Sequence, residues 1–218
     1  GYFAQQKKSL EEIKKIAQLV MESTRTIGVS LTSCRLPTST NDNRVPPNHA
    51  ELGLGIHGEP GVEVIETQNV NQIIELMVKK LTTPFPQKKD EPNLPLAILL
   101  NNLGGNSNLE MGIVCSSLLK NSYVKEHGEL LIGPSSLCTS LDMKGFSITF
   151  ISLQSGFAEA LKAPVQTHAW CNAVQIHEPI VIPARNQLNA GKKKHEGSQN
   201  DKVELLLRVI CQKIIENE

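Results

Sequence analysis

The chain is expected to fold as an α/β structure, a mixed β-sheet flanked by helices, with a C-terminal linker and an isolated helix after it. Three observations carry that expectation. Stretches with helical apolar periodicity take turns along the chain with short β-branched or alternating stretches. Leu96 to Asn101 is apolar on both faces, as a central strand between helices must be. That strand empties into a glycine-bearing turn and then a helical pattern, the order in which α/β folds are built.

The elements follow in order. Ser9-Leu-Glu-Glu12 is a capping box, and Leu10, Ile13, Ile16 or Ala17, and Val20 follow at helical spacing, which predicts a helix from about residue 9 to 24. Thr26 to Ser33 switches to β-branched alternation. After a loop with Pro37, Pro46 and Pro47, the alternation of Leu52, Leu54 and Ile56 predicts a half-buried strand over Glu51 to Ile56. Asn71 to Leu81 carries Ile73, Ile74, Met77, Val78 and Leu81 on one helical face, and a charged, proline-bearing run from Pro84 to Pro95 separates it from the strand at Leu96. Asn108 opens a helix carrying Leu109, Ile113, Leu118 and Leu119. Strands are expected near Leu130 to Ile132 and over Ser147 to Leu153. From about Asn172 the prolines and the run Gly191-Lys-Lys-Lys-His195 read as an exposed linker, a better account of Lys192 to Lys194 than a targeting signal. Val203, Leu206 or Leu207, Ile210 and Ile214 then define an amphipathic helix.

Composition narrows the function classes. With 22 basic and 22 acidic residues the formal charge is zero, so neither nucleic acid nor a membrane surface is the expected main partner. No apolar run approaches a membrane span. Cys34, Cys115, Cys138, Cys171 and Cys211 are widely spaced, odd in number and without a C-x-x-C pair, the pattern of reduced cytosolic thiols, so a cytoplasmic location and no metal centre are expected. Cys115 shares a helix face with Leu118 and Leu119 and reads as core rather than nucleophile. The chain opens without Met and closes inside a helical pattern, so it reads as a fragment of a longer protein.

One histidine stands out. Gly53-Leu-Gly-Ile-His57-Gly-Glu-Pro-Gly61 places it after the strand expected to end at Ile56, framed by four glycines and a proline. Backbone that flexible lets a small ligand approach the imidazole closely, and strand carboxyl ends are where open α/β sheets bind ligands. Gly53, Gly55 and Gly58 also satisfy the spacing of a dinucleotide fingerprint, but two of them lie in the expected strand and Glu59-Pro60-Gly61 stops any helix. Glu59 reads either as a carboxylate orienting the ring or as a cap on the turn. The turn Asn102-Leu-Gly-Gly-Asn-Ser107 is compatible with a ligand loop at a helix start and equally with an ordinary tight turn. His127, His168, His177 and His195 join no constellation.

Gly53 to Gly61, Asn101-Asn-Leu-Gly-Gly-Asn-Ser-Asn-Leu-Glu-Met111 and Thr139-Ser-Leu-Asp-Met-Lys-Gly-Phe-Ser-Ile-Thr149 together resemble, in order and spacing, the dihydroxyacetone kinase family. The similarity covers roughly Leu10 to Trp170, including Thr26 to Cys34, and corresponds to the second half of that family's substrate-binding K domain. It implies that His57 binds the ketone covalently as a hemiaminal, with Gly55, Gly58 and Glu59 around it as binding or supporting residues. The segment Ile132 to Cys138 is longer than the family's usual approach to Thr-Ser-Leu. The family's first half supplies a Gly-Gly-Ser-Gly-His-Glu segment and the aspartate that acts as general base, and neither has a counterpart here.

The resemblance also implies an organisation. Residues 1–171 correspond to the C-terminal half of a K domain, 172–200 to a linker, and 201–218 to the first helix of an all-helical, nucleotide-binding L domain, as in ATP-dependent members. ATP and Mg2+ are therefore expected to serve the full-length protein through sites outside this chain. The partners implied are a triose, dihydroxyacetone or glyceraldehyde, and the L domain, with a homodimer left open. Animal members of this type also cyclise FAD. The leading expectation is a fragment of an ATP-dependent dihydroxyacetone kinase, inactive alone. The alternative is a catalytically incomplete triose-sensing or interaction protein.

Overall fold

In order along the chain, the computed structural model contains α1 (Tyr2–Gln5), α2 (Leu10–Glu22), β1 (Thr24–Ser30), β2 (His49–Leu52), β3 (Glu63–Glu66), α3 (Val70–Thr82), β4 (Leu96–Asn102), α4 (Asn108–Lys120), α5 (Ser122–His127), β5 (Gly128–Ser135), β6 (Gly145–Ser152), α6 (Phe157–Lys162) and β7 (Val174–Gln175). The structure describes residues 1–35, 44–55, 59–66, 69–83 and 94–177. Residues 1–177 make one unit, and the expected C-terminal helix and most of the expected linker lie in a second, 178–218, outside the described residues.

The seven strands form one mixed sheet in the order β3-β2-β1-β6-β4-β5-β7. Only β4 and β5 pair in parallel. The antiparallel β6 is the spine, pairing with β1 from Thr24↔Ile151 to Ser30↔Gly145 and with β4 from Leu96↔Ser152 to Asn102↔Phe146. One face carries the main core, where Val29, Ile98, Leu100, Ile148 and Phe150 meet α3 and α4. The helices supply Ile74, Met77, Met111 and Leu118 to it, all 2% exposed or less. On the other face Ala97, Leu130 and Leu153 meet Phe157 of α6, with Ile16 and Val20 of α2 packed at the margin.

Local rules account for the helices. α2 starts at the Ser9–Glu12 capping box, formed in both directions. α3 starts where the Asn69 side chain accepts from the Gln72 N–H, and its five expected apolar positions are all buried. α2 is different: its stripe reaches the sheet but none of its residues is fully buried, and Leu10 and Met21 are more than three-quarters exposed. β4 is buried on both faces, as its sequence requires. The elements that sequence periodicity does not announce are the short ones, α1, β3, α5, α6 and β7, and β7 falls within the first residues of the expected linker.

The strand expected over Glu51 to Ile56 is shorter and earlier. β2 stops at Leu52 because Gly53 adopts φ +70, outside the extended region, and its N–H donates to the Gly28 carbonyl at 2.8 Å. Direction matters more than length. β1, β4 and β5 run the same way, so Ser30, Asn102 and Ser135 finish at one edge of the sheet. β2 runs against β1, so the segment that follows it leaves toward the opposite edge. The Gly53–Gly61 segment is therefore the connection of the β2–β3 hairpin, not a loop on the shared carboxyl edge. Among the described residues no helix is long and apolar enough to cross a membrane.

Candidate functional site

Glu51, in the middle of β2, is 5% exposed. A carboxylate that deep needs partners, and it has them on both oxygens. Oε2 accepts from the Arg44 guanidinium at 2.8 Å, and Oε1 accepts from the Gly61 N–H at 2.6 Å. Burial pushes the Glu51 carboxyl up, but the two donors and the Arg44 charge outweigh it and hold it below the ordinary carboxylate range. Gly61 is required there, since a Cβ at that position would lie 2.6 Å from Glu51 Cγ. Beside it the Val62 N–H donates to the Leu52 carbonyl at 2.8 Å. The connection that carries the histidine is thus tied at both ends, by Gly53 to β1 and by Gly61 to β2.

The expected site residues fall within this connection. His57 and Gly58 lie outside the described residues. Gly55 and Glu59 are described and meet: the Glu59 carboxyl carbon would sit 2.7 Å from a Cβ added at Gly55, so that glycine makes room for the carboxylate. The Glu59 carbonyl faces Arg44 Nη2 at 3.5 Å, the same nitrogen that holds Glu51. Leu54 packs over Gly28 of β1, which brings the start of the connection against the sheet face lined by Ser147. The edge beneath is a groove of about 290 Å3 whose walls include Thr26, Gly53, Val62 and Lys80.

The other two motifs come together at the carboxyl edge of β1 and β4. Asn101 and Asn102 are buried. The Asn101 Oδ1 accepts from the N–H groups of Leu137 and Cys138 at 2.8 and 3.0 Å, while its Nδ2 donates to the Cys138 carbonyl and to Ser147 Oγ. The Asn102 Oδ1 accepts from Gly104 N–H, and its Nδ2 donates to the Asn106 carbonyl. Asn106 Nδ2 in turn donates to the Gly145 carbonyl at 2.8 Å, and Gly105 N–H to the Met143 carbonyl at 2.8 Å. Ser107 and Glu110 form a capping box on α4. Of the two readings of this turn, the tight structural turn describes the geometry, because its polar groups are spent on each other.

Cys115 packs against the main core, and burial pushes its thiol up, away from the thiolate a nucleophile needs. Among the described residues no three His, Cys, Asp or Glu side chains gather where they could hold a metal ion. Sequence reasoning passed over Glu51 and Arg44. The signal was present: an acid between Ala50 and Leu52 in a strand calls for a buried cation or N–H donors.

The Dak1 domain family matches residues 1–169. The dihydroxyacetone kinase of Citrobacter freundii is 44% identical over 186 residues, covering 85% of this chain and 31% of that protein. The human triokinase/FMN cyclase is 29% identical over 224 residues, covering 99% of this chain and 39% of that protein. Among solved structures, the C. freundii dihydroxyacetone kinase in complex with AMP-PNP and Mg2+ superposes with a TM-score of 0.76 at 42% identity, covering 84% of this chain and 33% of that one. The chain spans between three- and four-tenths of the length of these curated relatives.

Proposed function

We propose, from the premise that this chain belongs to the Dak1 domain family of dihydroxyacetone kinases, that it is the ketone-capturing part of an ATP-dependent dihydroxyacetone kinase and that His57 carries the substrate. The observation that carries the proposal is the family match over residues 1–169, which includes the whole Gly53–Gly61 segment with its histidine. The clamped ends of that segment support it, because capture needs a histidine presented from a fixed frame.

The chemistry follows from the side chain. With an ordinary pKa near 6.5 an imidazole is mostly neutral at pH 7, and its unprotonated ring nitrogen has a lone pair to add to a ketone carbon. A C–N bond forms, the carbonyl π pair moves to oxygen, and the proton on the second ring nitrogen is transferred through solvent to that oxygen. The product is a neutral hemiaminal whose mass is that of protein plus intact ketone. Glycerol has no carbonyl and is not captured. The terminal hydroxyl of the tethered triose is then the phosphate acceptor, and the tether contributes positioning. Gly55 and Glu59 support the segment, since Gly55 makes room for the Glu59 carboxylate and the Glu59 carbonyl faces Arg44.

ATP, as a Mg2+ complex, would supply the phosphoryl group from an L domain that follows the K domain. In this reading residues 1–171 are the C-terminal half of the K domain, 172–200 the linker and 201–218 the opening L-domain helix, in a cytoplasmic protein. Dihydroxyacetone and glyceraldehyde are the proposed substrates, and FAD cyclisation is the additional activity to assay. Native mass spectrometry with dihydroxyacetone tests the capture step. Wild type is expected to gain one intact ketone and His57→Ala none; a folded wild type without an adduct refutes the assignment.

A further inference from the structure

Among the described residues Glu51 is the one buried charged side chain, and capture does not use it. Its two oxygens join three pieces of chain: β2 itself, the Gly61 end of the connection that carries His57, and Arg44 from the segment before β2. Arg44 Nη2 lies at the same time 3.5 Å from the carbonyl of Glu59. From this geometry we infer that Glu51 is a positioning residue: clasped to Arg44 and to the Gly61 N–H, it fixes the stem of the Gly53–Gly61 connection and so sets how well His57 meets a ketone.

The inference rests on the reading of His57 given above, but the clasp stands on separate observations. A carboxylate has acceptor sites enough for both donors, whereas a glutamine has one acceptor oxygen and an NH2 group that would face the other donor. Glu51→Gln therefore keeps the size of the side chain and breaks one of the two ties. Arg44 is 42% exposed at its side chain against 6% for Glu51, so Arg44→Met loosens the clasp from its solvent side without opening the core. Glu59 needs no change of its own in this scheme, because it is held through the backbone carbonyl that Arg44 faces.

The test compares wild type, His57→Ala, Glu51→Gln and Arg44→Met in the full 218-residue chain, with dihydroxyacetone as the probe. Native mass spectrometry gives the ketone concentration for half occupancy, thermal melting reports folding, and amide exchange reports the Gly61 N–H. Both clasp variants are expected to remain folded, to need roughly ten to a hundred times more ketone, a loss on the scale of misplaced reacting groups, and to exchange the Gly61 amide faster. If both capture the ketone within about twofold of wild type, Glu51 is not a positioning residue. Should wild type form no adduct, the His57 reading fails and the capture role with it, while the Gly61 amide still judges the clasp: unchanged exchange in both variants removes that as well. If Glu51→Gln does not fold, Arg44→Met alone decides.

Discussion

Two glycine-rich segments, Leu103–Asn106 with its neighbours and Gly53–Gly61, look alike in sequence and are held in opposite ways. The first sits at the centre of the sheet, where Asn101, Asn102 and Asn106 spend their amides on the backbone of 102–106, 137–138 and 145. The second connects two four-residue strands at the sheet's edge and is tied at its two ends, through Gly53 to Gly28 and through Gly61 to Glu51. A turn whose donors and acceptors are saturated internally is scaffold. A connection tied at its stem can present a side chain, and the one it carries by sequence is a histidine.

The contrast can be broken most sharply by exchanging readouts between the two regions. His57→Ala is expected to abolish ketone capture altogether in mass spectrometry. Asn101→Ala is expected to do the converse: it removes four hydrogen bonds from a residue 3% exposed and should cost about 3 kcal/mol in urea unfolding, with capture kept in the folded fraction. A cost below about 1 kcal/mol would mean that the central turn is not the scaffold described. Gly61→Ala lies between the two, because its Cβ would run into the Leu52 carbonyl oxygen of β2 as well as Glu51 Cγ at 2.6 Å; about 2 kcal/mol of stability and a weaker adduct are expected together. An effect on one without the other would separate clasp from capture.

The smallest effect is on acid stability. Glu51 has a folded pKa below its ordinary value, so the unfolded chain binds its proton first and stability rises with pH across that window. Its contribution is full above about pH 4.5, the ordinary value, and is lost as pH falls through the lower folded value. Glu12, drawn down to about 2 by the Ser9 N–H and hydroxyl of its capping box, acts in the same direction from a fully exposed site. Urea midpoints between pH 5 and pH 2.5 should fall in wild type and fall less steeply in Glu51→Gln. Equal slopes would show that Glu51 contributes nothing to acid stability.

Much of this fold is legible residue by residue. The Ser9 capping box, the apolar face of α3 and the two-sided burial of β4 depend on side chains within a few positions of one another, and each forms where its pattern puts it. The proposal for His57 starts from the sequence in the same way, since a histidine framed by glycines is a local property of the chain. Short elements such as β3 and β7 are not legible, because four and two residues hold too little periodicity to read.

By itself, then, the sequence determined the class of fold, the long helices and the central strand, and it supplied the histidine proposed to carry the ketone. Only the tertiary structure decided that β2 runs against β1, which turns the histidine's segment into a hairpin connection away from the shared carboxyl edge. It alone decided that Glu51, an anomaly within its own strand, finds Arg44 and Gly61 seven and ten residues away. Helix caps and apolar stripes are settled by neighbours a turn apart; strand direction and the partners of a buried charge are settled by which distant backbones pair, and that is chosen by the packing of the whole sheet.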